Sequence, residues 1–107
     1  MSEELDLIAK QDAEAKENGA VVKIDIPKDG KNYVAYLKAP DRYAVGAFLS
    51  VRDTSITQAC EYIYDSAVMK DISPDYMAIR EDDILFISAC PAIQAAIPFK
   101  KNNSKIL

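Results

Sequence analysis

Residues 20–38, AVVKIDIPKDGKNYVAYLK, decide the fold. Their first half has an apolar period of two: Val22, Ile24 and Ile26 fall on one side and Lys23 and Asp25 on the other, as in a half-buried strand. After IPKDGK the alternation resumes, with Tyr33, Ala35 and Leu37 set against Val34 and Tyr36. The segment predicts a β-hairpin. Pro27 suits its turn because proline presets φ, and Gly30 suits the position that must take a positive φ. The second strand is apolar on both faces, so a two-stranded ribbon alone would leave rings in water. Downstream helices must cover it, or the hairpin edge must pair with another copy in a homo-oligomer.

Outside the hairpin the period is helical. Residues 2–18 are good helix formers, with Ser2, Glu3 and Glu4 placed to cap and charge the first turn. Leu5, Leu7, Ile8 and Ala15 make only a narrow stripe, so residues 1–19 are expected to form a loosely docked helix that stops at Asn18-Gly19. Downstream, Asp41 caps a helix over 41–52 whose stripe is Ala44, Val45, Phe48, Leu49 and Arg52, despite Gly46. Ser55 and Gln58 have capping-box spacing before a helix with Ile56, Ala59, Cys60, Ile63, Ala67 and Val68 on one face. Ser73-Pro74-Asp75 interrupts, YMAIR gives a short turn of helix, and Glu81-Asp82-Asp83 opens the last one. Its stripe, Phe86, Ala89, Ile93, Ala96 and Ile97, continues past Pro91, where the helix should kink or divide. Residues 99–107 read as a mobile tail with an apolar anchor at Ile106-Leu107.

These elements predict a single α+β domain over 1–107: an N-terminal helix, a β-hairpin, then a body of four to five helices. Half of the 107 residues are hydrophobic, enough for one core. There is no histidine, which removes Ser-His-Asp and Cys-His catalysis and every imidazole metal site. Cys60 and Cys90 lack CxxC spacing and read as core residues, and Gly19, Gly30 and Gly46 belong to no phosphate loop. The reading is a non-enzyme without cofactor or metal. A net charge of −4 disfavours general nucleic-acid binding, since positive charge gathers only at Lys100, Lys101 and Lys105. No apolar run is long enough to span a bilayer, and the acidic N-terminus lacks the pattern of a secretory signal, so the cytoplasm is the expected compartment.

The candidate contact residues are tyrosines: Tyr33 and Tyr36 on the hairpin, Tyr43, Tyr62 and Tyr64 on the helices. Tyr62 and Tyr64 lie about 200° apart around a helix, so one of them faces outward. A small host nucleic-acid-binding or regulatory module could use the hairpin tyrosines and the lysine tail.

Over residues 20–98 the order of parts resembles the small tail assembly chaperones of long-tailed bacteriophages and prophages. The resemblance rests on YVAYLKAPDRYAVGAFLSV (33–51) and EDDILFISACPAIQAAI (81–97), with Pro40, Asp41 and Arg42 at the strand-to-helix step and Asp82, Asp83, Leu85 and Phe86 opening the last helix. It implies a non-enzymatic protein of the bacterial host cytoplasm that binds the tape-measure protein, keeps its apolar helices from aggregating, and recruits major tail subunits.

Overall fold

The computed structural model describes residues 2–99 and 103–107. Its α+β architecture begins with α1 (Ser2–Glu17), continues through a hairpin of β1 (Ala20–Lys28) and β2 (Lys31–Lys38), and ends in a helical body. That body comprises α2 (Arg42–Val51), α3 (Ile56–Ala67), a 3-10 turn at Lys70–Ile72, α4 (Tyr76–Glu81) and α5 (Asp83–Ala95).

The strands pair antiparallel, with Ile24 opposite Ala35, Lys23 opposite Tyr36 and Lys28 opposite Lys31. Between Lys28 and Lys31 the chain reverses through Asp29 (φ 53°) and Gly30 (φ 77°). Two consecutive positive φ angles define a type I′ turn, whose twist matches that of the strands it joins. Pro27, expected in the turn, instead sits inside β1 opposite Asn32. It does no harm there because the Lys23, Asp25 and Pro27 positions aim their backbone away from β2, where no amide is needed.

Both faces of β2 are covered. Tyr33, Ala35 and Leu37 join the main core with Ile24, Phe48, Ile63, Phe86 and Ile93. Tyr36 faces the other way, and its hydroxyl donates to Asp12 of α1 at 2.7 Å. Lys23 reaches the same carboxylate at 2.9 Å. The sheet thus lies between α1 and the helical body. α1 docks through its second half, where Ala15 is buried, whereas Leu5 and Leu7 are exposed. The sequence expectation of loose docking takes this form: an attached C-terminal half and an uncovered N-terminal apolar stripe. The cap expected at Ser2, and Glu4 of the acidic first turn, involve side chains outside the described set.

The outer edge of β2 is closed by the connection between α3 and α4. Val68 forms an isolated bridge with Leu37, and the Met69 amide donates to the Tyr36 carbonyl at 2.9 Å. The Tyr36 amide donates to Ser73 Oγ at 2.9 Å, and the Val34 amide to Asp75 Oδ2 at 2.9 Å. A homo-oligomer built through the hairpin edge therefore has only the β1 side left to it, and that side carries Lys23, Asp25 and a proline.

The helix starts follow the sequence reading. Asp41 accepts from the Ala44 amide at 2.8 Å, Ser55 from Gln58 at 3.2 Å, and Asp82 from Ile84 and Leu85 at 2.9 and 3.0 Å. Asp82 also binds Lys28 of β1 at 2.7 Å, joining the start of α5 to the hairpin turn. α5 neither ends nor divides at Pro91. The proline ring is on the solvent side, and the Ile87 carbonyl that loses its amide partner belongs to an exposed residue within reach of water. Arg80 of α4 bridges to Asp65 and Glu61 of α3 at 2.8 and 3.1 Å. Ile106 and Leu107 do not anchor the tail, since both are fully exposed; Lys100 and Lys101 lie outside the described residues.

Ser73→Ala removes the acceptor for a buried amide and should destabilise the fold by about 1–3 kcal/mol in urea unfolding, against about 0.5 kcal/mol or less for Ser66→Ala, whose partner Asp41 is exposed. Equal losses would show that the edge closure is not specific.

Acid should also loosen the fold. The Tyr36 hydroxyl first and Lys23 second hold the Asp12 carboxyl below the usual carboxylate range. Lys28 and the Leu85 amide do the same for Asp82, and the Ala44 amide and Ser66 for Asp41. With folded-state pKa values depressed, the unfolded chain takes up protons first, so this stability is complete above about pH 4 and is lost as pH falls below it. Urea midpoints measured from about pH 6 to about pH 3 should fall, and fall less in Asp12→Asn; a flat wild-type profile would contradict the assignment.

Candidate functional site

The five tyrosines nominated from sequence do not share one surface. Tyr36 and Tyr64 are 5% and 1% exposed, which corrects their place among contact residues. Tyr64 packs edge-on to Phe86 with centroids 5.6 Å apart, and its hydroxyl donates to the Tyr76 carbonyl at 2.8 Å. Desolvation, and for Tyr36 the hydrogen bond to Asp12, push both phenols well above their ordinary value. Tyr33 is half-buried, with Lys31 Nζ 4.5 Å above its ring. Because strand residues three apart point to opposite faces, Tyr33 and Tyr36 cannot form one stacking platform. Tyr43 and Tyr62 remain exposed, at 89% and 42%.

The uncovered apolar surface lies elsewhere. A groove of about 470 Å³ runs between α2 and the segment that follows α5, lined by Pro40, Val45, Leu49, Ile97, Pro98 and Phe99, with Arg42 and Gly46 along one wall. Its position follows from two stripes meeting. Phe48 and Ala44 turn α2 into the core, which leaves Arg42, Gly46 and Leu49, spaced four and three residues apart, on the outer side. At the other wall Ile97 is buried while Phe99 is 64% exposed. Leu49 remains 42% exposed.

Gly46 is the unexplained part of that wall. Its φ is not in the left-handed region, and a Cβ placed on it would meet nothing within 4 Å. Neither backbone conformation nor packing requires glycine, yet glycine inside a helix costs about 0.5–1 kcal/mol relative to alanine. What it provides is a notch through which another backbone could approach α2. Sequence reading noted Gly46 as an interruption of the stripe; the notch shows itself only once α2 is seen to leave that side open.

A second hollow, about 300 Å³, lies under α1 between Gln11, Glu14, Ile72 and Asp75. Its Asp75 carboxylate is already engaged by the Val34 amide and by Lys31, and it offers no free apolar wall comparable with the groove. Among the described residues no group of three or more His, Cys, Asp or Glu side chains could hold a metal ion, and no helix is long and apolar enough to cross a membrane. Comparison of the chain with protein-family models, curated proteins and solved structures gives no match.

Cys60 and Cys90 are both free and buried, as expected of core residues. Desolvation first, and the neighbouring Cys90 second, push the Cys60 thiol up to about 12; burial also raises Cys90. A thiol reagent at neutral pH should therefore label neither residue in the native protein and both in denaturant. Labelling of the native protein without unfolding would place a thiol at the surface and contradict this arrangement.

Proposed function

We propose that this chain acts by gripping an apolar helical segment of another polypeptide, as a tail assembly chaperone of a long-tailed phage or prophage that holds the tape-measure protein and tail subunits. The observation that carries the reading is the groove of Leu49, Ile97, Pro98 and Phe99 with its glycine notch at Gly46. An apolar wall left open on a folded core marks a contact site. A helix laid into it would bury Leu49 and Phe99, and Gly46 would admit its backbone close to α2.

The resemblance across residues 20–98 supplies the partner class. Long apolar helices of a tape-measure protein present the kind of face such a groove covers, and the reading requires no reaction. The stacking alternative gains nothing from the structure, because the two hairpin rings lie on opposite faces and Tyr36 is buried.

Co-expression with a tape-measure protein encoded beside this chain should keep that protein soluble and co-purify the two. Gly46→Leu, which fills the notch and is a better helix former, should hold or raise thermal stability while lowering co-purification at least about tenfold. A tape-measure protein that stays insoluble in the presence of the chain, or a Gly46→Leu variant that binds as well as the parent, would overturn the proposal.

A further inference from the structure

We infer that α5 is covered in solution by the α5 of a second copy, packed antiparallel across a two-fold axis near Pro91. From Ile84 to Phe99 the sequence holds no charged residue, so α5 is apolar nearly all round. Leu85, Phe86, Ala89, Cys90 and Ile93 point into the core. On the opposite side Ile84 and Ile87 are 66% and 58% exposed, and Pro91 and Ala95 are exposed with them. These four residues fall within an arc of roughly 80° on a 3.6-residue helix. A helix apolar on both sides belongs between two surfaces, and the chain supplies one.

Two features point to a second copy as the other. The stripe is graded in size, with two isoleucines at its N-terminal end and proline and alanine toward its C-terminal end. An antiparallel partner centred on Pro91 sets Ile87 against Ala95, large against small, and places Ile84 beyond the partner's C-cap at Ala96. Its ends are also opposite in charge. Glu81 and Asp83 stand at the N-terminal end; Arg42, which shares the groove wall with Pro98 and Phe99, stands at the other. None of these three makes an ion pair among the described residues.

The antiparallel arrangement brings the acidic end of each copy to the basic end of its partner, where a parallel one would bring like charges together. Helix dipoles oppose in the same sense. The contact is isologous, so it closes at two copies. The standard interface takes about a tenth of a small protein's surface, here a tenth of 7594 Å². A single helix stripe approaches that area only with its flanks.

The apolar contact does not rest on the groove, although Arg42, which sets its direction, lies on the groove wall: the residues that decide it are Ile84, Ile87 and Ala95, and a chain that grips no client would still dimerise. Sedimentation of the full chain over micromolar to millimolar concentration should show monomer passing to dimer and no larger species. Ile87→Glu, at an exposed position that leaves the core intact, should weaken dimerisation at least about tenfold with an unchanged circular dichroism spectrum. Asp83→Arg and Arg42→Glu should each weaken it, and the double variant should restore it, which separates the antiparallel pairing from loss of apolar contact. A wild-type chain monomeric throughout, a dimer untouched by Ile87→Glu, or a charge-reversed double variant no better than the singles would overturn the arrangement.

Discussion

The structure depends on how the outer edge of β2 is satisfied. A two-stranded hairpin leaves one row of amides and carbonyls on each side, and on β2 that row lies within the protein, where unpaired groups are costly. Val34 and Tyr36 find their acceptors in Asp75 and Ser73, and the Tyr36 carbonyl finds its donor in Met69. All three partners come from the connection between α3 and α4. Closing the edge therefore fixes where α3 ends and α4 begins. α4 in turn is tied back to α3 by Arg80, and α5 starts one residue beyond α4 on a cap that also holds the hairpin turn through Lys28. The position of the groove is a consequence of this chain of contacts, since its far wall is the segment that follows α5.

Much of the fold is legible in the sequence, and the legible part is local. Caps at Asp41, Ser55 and Asp82 need only a side-chain oxygen two or three residues before a free amide, and spacing reveals them. The opposite fates of Tyr62 and Tyr64 follow from helix geometry alone. What the sequence does not reveal is side chains that bond to distant backbone. Ser73-Pro74-Asp75 reads only as an interruption between helices, yet Ser73 and Asp75 are both acceptors for a strand about forty residues earlier. Such bonds leave no period. Pro27 misleads for a related reason: its compatibility with a turn is local information, whereas its compatibility with an outward-facing position on an edge strand depends on register.

The site was less legible than the fold because the cue used for it, aromatic content, does not distinguish a ring that packs from a ring that contacts. Tyr36 and Tyr64 each pair a buried body with a hydroxyl that has a partner inside the chain, which is how buried tyrosine is ordinarily accommodated. Two sequence signals were more informative than the tyrosines. One is the absence of charge from Ile84 to Phe99, more apolar surface than a single packing side can absorb. The other is a glycine in a helix with no steric reason to be there.

These two signals bear on different surfaces, and their physics differs. Gly46 weakens α2 by its own conformational freedom whether or not anything binds, so the notch exists at a constant cost to folding. The stripe on α5 costs nothing in the folded monomer beyond exposing isoleucine to water, and whatever covers it recovers about 25 cal/mol for each Å² removed from solvent. Occupation of the groove therefore depends on a partner whose shape fits the notch, whereas the stripe responds to any complementary apolar face at sufficient concentration. Size grading and end charges turn that general attraction into a preference for one direction. On the proposed contacts, specificity thus resides in what is small, Gly46 on α2 and Ala95 on α5, and affinity in the large residues beside them, Leu49 and Phe99 at the groove, Ile84 and Ile87 on the stripe.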